Sequence, residues 1–392
     1  MMADSIEHVI SYKVMFDQFH SPTLAGFAVI SHWLPFLLLS IHSGALADRF
    51  DPRRLIQIGM VLFMLVSIAW GVLFITGTLE EWHARVLLVL HGCAGVLWSP
   101  SSQLLLQYIV LREQLQSAVR LNATSRYLGL LLGPAVGGGI LLLMGPSYGI
   151  LFNALLYVPT ILWLWRAPYG PRFSSQPRPA RALKGLQDVL STLRCVRADR
   201  TLLSMTLLAG CASMFVGNSY QAQMPGFAND LGHHDADLSY SLLLAADAAG
   251  ALSAALILEG RGLLQANPRT AFVLAMLWCV ALGSFAVSHA YVLSMALLFV
   301  AGFVELSFSS MAQTLVQLRA PAEIRGRVIG VYSMSALGMR TFSGFTVGLA
   351  GGLVGIHYSL AVSAGALLMI FLGLFMFSLR APDAASVPAG KG

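Results

Sequence analysis

Charged side chains are scarce in this chain, and several stand inside runs that are otherwise continuously apolar: Asp4, Glu7 and His8, then His91, Arg126, Asp247, Glu305 and Arg340. An ionisable group in an apolar medium costs several kcal/mol unless it is paired or hydrated, so each is a candidate for holding a proton, an opposite charge or a polar ligand. Glu305 and Arg340 lie about 12 and 13 residues from the arginine-rich ends of their runs, which at ~1.5 Å per helical residue puts both ~18–20 Å deep; matched depth permits an ion pair. Arg126 and Asp247, at ~13 and ~17 Å, are a similar but less well matched pair. Asn218, Gln221 and Gln223, with the aromatics Trp98 and Tyr220, suit the lining of a cavity for an amphiphilic molecule. His32 and His91 read as satisfied core histidines more than as proton relays. The run His233-His234-Asp235-Ala236-Asp237 has metal-binding residue types, but adjacent ligands in a polar loop more often keep it solvated, so no metal and no cofactor are expected. No His-Glu-x-x-His, Gly-x-Ser-x-Gly or Gly-x-x-x-x-Gly-Lys pattern occurs, which argues against an enzyme.

What positions these residues is a set of membrane-crossing helices. Apolar residues make up 57% of the 392 and charged ones 11%, against roughly 25% charged in a soluble domain. Twelve apolar segments, most of about 20 residues or more, match ~30 Å of hydrocarbon at ~1.5 Å per residue. The expected fold is therefore an all-α membrane protein with twelve transmembrane helices, at about 2–19, 22–47, 54–77, 83–108, 117–144, 147–166, 200–226, 236–258, 268–288, 290–316, 326–350 and 357–380. The runs are continuous and do not alternate, which excludes a barrel. A net charge of +6 could suggest nucleic acid, yet all but four of the 24 Lys and Arg residues fall in turns or tails that one side of the membrane would share. The exceptions are Arg85, in an opposite turn, and Lys13, Arg126 and Arg340, inside the runs. This bias puts both termini and the basic turns in the cytoplasm and leaves the lipid bilayer, not nucleic acid, as the surrounding partner. Cys93, Cys195, Cys211 and Cys279 are scattered and expected to be free thiols.

Prolines and arginines over 167–182 mark a linker. The following 183–197 puts Leu183, Leu186, Leu190 and Leu193 on one face, as in a helix lying on the inner membrane surface. A shift of 210 residues superposes Ser99 on Ser309, Gln103 on Gln313, Gln107 on Gln317 and Glu113 on Glu323. Two six-helix pseudo-repeats follow, at 1–166 and 200–380, joined by a linker over 167–199 and ending in a cytoplasmic tail over 381–392. The same shift maps Arg200, at the cytoplasmic end of helix 7, to about position −10. Residues 2–19 also carry five ionisable groups, so helix 1 is expected to be truncated, with the true N-terminus upstream of Met1.

The turn after the second run reads Gly44-x-Leu46-Ala47-Asp48-Arg49-x-x-x-Arg53-Arg54. Gly44 lets a neighbouring helix come close, Asp48 can cap a helix or pair with an arginine, and the arginines hold the turn on the cytoplasmic side. The pattern resembles the loop between helices 2 and 3 of the major facilitator superfamily, with Asp51 and Pro52 where that family usually has glycine and a basic residue. Gly129-x-x-x-Gly133-Pro134-x-x-Gly137-Gly138 looks like the helix 5 motif of its exporters, chiefly drug–proton antiporters. Glycines four apart give a smooth packing face, and Pro134 bends the helix. The loop Arg319-Ala320-Pro321-Ala322-Glu323-Ile324-Arg325-Gly326-Arg327 resembles that of a branch including the enterobactin exporter.

This resemblance implies a secondary transporter of the inner membrane, exporting a small drug- or siderophore-like molecule by alternating access. It implies a monomer coupled to protons, or to sodium. Helices 1, 4, 7 and 10 would line the cavity, with Asp4, Glu7 and Glu305 as proton carriers. Gly44, Asp48, Arg49, Arg53, Gly133, Pro134 and Gly137 would form the gate, with Asp48 meeting the start of helix 11. An importer of the same superfamily, or a non-transporting sensor, is the alternative.

Overall fold

Among the residues described by the computed structural model, 2–19, 22–173, 186–217, 219–232, 236–261, 265–343 and 350–379, every regular element is helical. In chain order the elements begin with α1 (Met2–Phe19), α2 (Pro22–Arg49), α3 (Pro52–Thr76), α4 (Glu81–Ile109), α5 (Leu115–Leu155) and α6 (Val158–Arg166). After the linker come α7 (Leu186–Ala198), α8 (Arg200–Phe215), α9 (Ser219–Ala222), α10 (Met224–Asp230), α11 (Ala236–Arg261), α12 (Pro268–Ala286) and α13 (Tyr291–Arg319). The chain closes with α14 (Arg325–Ser333), α15 (Arg340–Ser343), α16 (Ala350–Val354) and α17 (Ile356–Leu379). Among the described residues, eight stretches are long and apolar enough to cross a membrane. Leu142 and Leu143 are 88% and 87% exposed, and Val292 79%; large aliphatic side chains so bare belong against lipid, not water.

The helix ends follow from local chemistry. Asp51 accepts from Arg53 N at 3.0 Å and starts α3 with Pro52 in its first turn; Asp199 does the same for α8, accepting from Thr201 N and Leu202 N. Both satisfy amides that the helix leaves without partners.

The expected boundary between the fifth and sixth runs falls at Gly145, where φ is +69° and α5 turns. Two later expected helices are interrupted. The run 200–226 breaks into α8, α9 and α10 around Gly217, at φ +50°. The run 326–350 carries a π-helical turn over Met334–Gly338 between α14 and α15. Hydropathy is continuous through both, so these breaks leave no mark on it. Glycine removes the Cβ penalty of a positive φ, and π-turns come where an inserted residue re-aims a helix.

The linker helix α7 presents Leu190 and Leu193 outward at 47% and 39% exposure, while Asp188, Thr192 and Val196 are buried. An outward leucine face is what an interfacial helix needs.

Candidate functional site

Distant parts of the chain meet along a seam of glycines between α2 and α14 with the π-turn that follows it. A Cβ on Gly326 would strike the Gly44 carbonyl, one on Gly330 the Ser40 carbonyl, and one on Gly338 the Leu37 backbone. Only bare backbone allows such an approach. At the arginine-rich end of the seam Asp48 accepts from the amides of Gly326 and Arg327, the latter at 2.9 Å, at the N-terminus of α14. The Arg327 guanidinium is 3.6 Å from Asp48 and donates to Asp188 of α7 at 2.8 Å. The carboxylate thus meets two orphan amides, the positive end of a helix and a cation in one place.

Further bonds cross at the same end. Gln107 Nε2 donates to Gln317 Oε1 at 3.4 Å, Arg112 to the Leu318 carbonyl at 3.2 Å, and Gln103 to Ser333 Oγ at 3.3 Å. Arg53 is occupied elsewhere, by Asp51 and the Ala167 carbonyl at 2.6 Å, fastening α3 to the end of α6. Arg49 lies over Phe50.

Beyond this closed end lie two adjoining cavities. The larger, about 350 Å³, is lined by Trp98, Ser99, Ser102, Asn122 and Gly129 among others. The smaller is lined by Glu305, Arg340, Ser213, Trp278 and Tyr332 among others. Gln103, Arg126 and Gln313 line both. Glu305, Arg340 and Arg126 therefore line one cavity. Asp247 is held differently: its carboxylate accepts from Tyr220 at 3.1 Å and Gln221 at 3.0 Å. These two residues, read from the sequence as cavity lining, are thus committed to Asp247, with Tyr220 fully buried. Asn218 lies outside the described residues, as do His233, His234 and Asp235. A Cβ on Gly302 would meet Asp247, so Asp247 sits one helical turn from Glu305 on the neighbouring helix.

The exporter-like glycines join α5 to α1. A Cβ on Gly133 would enter the Ser5 side chain and one on Gly137 would press on Ile6 Cα at 3.2 Å. Pro134 is within α5.

Asp4 and Glu7 converge on one histidine. His91 Nε2 is 2.7 Å from Asp4 Oδ1 and its Nδ1 is 2.8 Å from Glu7 Oε1. Glu7 also accepts from Ser67, which accepts from Asn153 at 3.3 Å. The His8 and His32 rings stand 4.8 Å and 5.6 Å from that of His91. Reading the sequence by single residues missed this assembly, because its members come from α1, α2 and α4. Two signals bore on it: Asp4 and His8 are spaced to share a helix face, and Gly92 adjoins His91. A Cβ there would strike the Ser31 carbonyl, so α2 and α4 touch beside His32 and His91.

Residues 3–391 match the family model described as transmembrane secretion effector. The uncharacterized MFS-type transporter YfiS of Bacillus subtilis is 24% identical over 199 residues, 50% of this chain and 46% of YfiS. MdtD of Salmonella typhi, a protein with a provisional designation in multidrug resistance, is 33% identical over 118 residues, 30% of this chain and 24% of MdtD. The matched stretches span less than half the length of both relatives. The crystal structure of the Escherichia coli fucose:proton symporter FucP is similar with a TM-score of 0.73 at 10% identity, covering 97% of each chain. At that identity the likeness is one of fold.

Proposed function

Since the chain belongs to the transmembrane secretion effector family of major facilitator transporters, we propose that it exports a small amphiphilic molecule from the cytoplasm in exchange for protons. The observation that carries this reading is the sealed arginine-rich end, where Asp48 caps α14, with a polar cavity directly beyond it. We take that end as cytoplasmic, because charge bias favours it. The described conformation then has its cytoplasmic gate closed, one of the two states that alternating access requires.

The elements are read as twelve crossings in two halves. Gln107 and Gln317, in contact across the halves, are 210 positions apart, the spacing of the repeat; equivalent residues touch where a pseudo-two-fold axis passes between them. The chain is proposed to act as a monomer in the inner membrane with cytoplasmic termini.

The substrate class follows from the cavity wall. Arg126 and Arg340 face it with one carboxylate, Glu305, so the ionised wall carries one net positive charge, and Trp98 and Trp278 add aromatic faces. An amphiphile bearing an anionic group fits both features. Glu305 is the coupling carboxylate: ionised, it can accept a hydrogen bond from the substrate while the arginines hold the anion, and protonation removes that acceptor, so proton binding trades against substrate binding. Asp4 and Glu7, the other carboxylates read as proton carriers, are engaged by His91 instead.

The test is uptake into everted membrane vesicles from cells producing the chain. Expected is respiration-driven accumulation of a carboxylated fluorescein that an uncoupler abolishes; accumulation only in right-side-out vesicles would indicate import, and none of any amphiphile, anionic or cationic, would reject transport of this class.

A further inference from the structure

We infer that Asp4, His8, His32 and His91 form a buried binding site for a divalent transition-metal ion of the zinc type. One ligand atom from each of the four lies within 4.8 Å of all the others. A tetrahedral site with bonds of about 2.0–2.1 Å needs ligand atoms about 3.3 Å apart. Side-chain rotation supplies that closure, because the backbones are already set by the α2–α4 contact at Gly92 and by Gly133 and Gly137 under α1.

The donor set selects the ion. Three imidazoles and one carboxylate, with no thiolate and few oxygens, suit zinc and its neighbours in the transition series and are poor for magnesium or calcium. Charge closes as well: a dication in this pocket faces two carboxylates, Asp4 at 14% and Glu7 at 2% exposure. A buried ion so balanced avoids the cost of unpaired charge.

Two observations beyond proximity point to a ligand. The first is the support behind His91. With Nε2 on the metal, Nδ1–H is left for Glu7 Oε1 at 2.8 Å, and Glu7 is in turn held by Ser67 and Asn153. That is the carboxylate–histidine–metal arrangement that fixes the tautomer and orientation of a metal-bound imidazole. The second is His32 Nδ1, which is sealed from solvent without a hydrogen-bond partner among the described residues. A buried ring nitrogen left so is costly, and a metal ion would satisfy it. Met2, two residues from Asp4, lines the larger cavity.

Bound metal would tie α1 to α2 and α4 within the first half, independently of how the halves move or what they export. The experiment uses the full chain, purified in detergent with a purification tag free of histidine and with His233 and His234 replaced by alanine. After chelator treatment and dialysis against micromolar zinc, one zinc per chain is expected by mass spectrometry of the metal, and cobalt in its place should give the visible bands of a tetrahedral site. Glu7→Gln should weaken binding about 10–100-fold, as loss of a supporting carboxylate does. His32→Ala should abolish it while the elution profile stays monodisperse. Wild-type chain that elutes as a single folded species and holds less than a tenth of an equivalent of zinc overturns the site, whatever the variants do. So does stoichiometric zinc unchanged by His32→Ala and Glu7→Gln.

Discussion

Asp48 is held by the start of α14, away from the cavity lining, and that makes its role separable from substrate binding. Replacing it with asparagine removes charge-assisted bonds to the Gly326 and Arg327 amides and the attraction of Arg327. Such bonds contribute about 1.5–3 kcal/mol each, so the closed gate should lose at least about tenfold in population, at 1.36 kcal/mol per factor of ten. Asp48→Asn is expected to lower the transport rate about tenfold or more with substrate affinity unchanged within a factor of two to three. Titration of binding beside initial rates checks this, and lost affinity at a normal rate would place Asp48 in the binding site instead. The partner of Asp48 was legible in the sequence through a motif, since the turn and the start of α14 both carry recognisable residues. His91 was not, because a histidine in an apolar run reads alike whether it packs or bridges two acids from another helix.

The α2–α14 seam works as an element because its glycines let two backbones touch. Gly326→Ala would put a Cβ against the Gly44 carbonyl and within 2.7 Å of an Asp48 oxygen, and neither can retreat cheaply. The seam should open, and a single cysteine introduced at Gln107, with the four native cysteines replaced by serine, should react with a polar maleimide at least several-fold faster than in the parent. Unchanged labelling would mean that the seam does not set the gate. Most helix positions were legible from hydropathy, and so was the turn at Gly145, which the expected spans 117–144 and 147–166 bracket. The break at Gly217 and the π-turn before Arg340 were not, since glycine is as common in straight packing faces as in bends.

At the scale of the whole molecule, the closed arginine-rich end adjoins a cavity with charged lining. Glu305 and Arg340 come from different helices and face the same cavity. Single neutralisations, Glu305→Gln or Arg340→Gln, should each lower the yield of folded, monodisperse protein more than the double replacement does; additive losses would exclude an interaction between them. The contact between Gln107 and Gln317 was legible as a 210-residue spacing, and the net charge of the cavity was not, because it depends on which of the few buried ions line it.

The most direct test of proton-coupled export is transport by purified chain in proteoliposomes under an imposed pH gradient. Carboxylated fluorescein should accumulate when the lumen is made acid, as protons leave and substrate enters. Glu305→Gln should still exchange substrate across the bilayer but should no longer accumulate it against a gradient. Accumulation driven by an acid exterior, or gradient-driven accumulation that survives Glu305→Gln undiminished, would contradict the account.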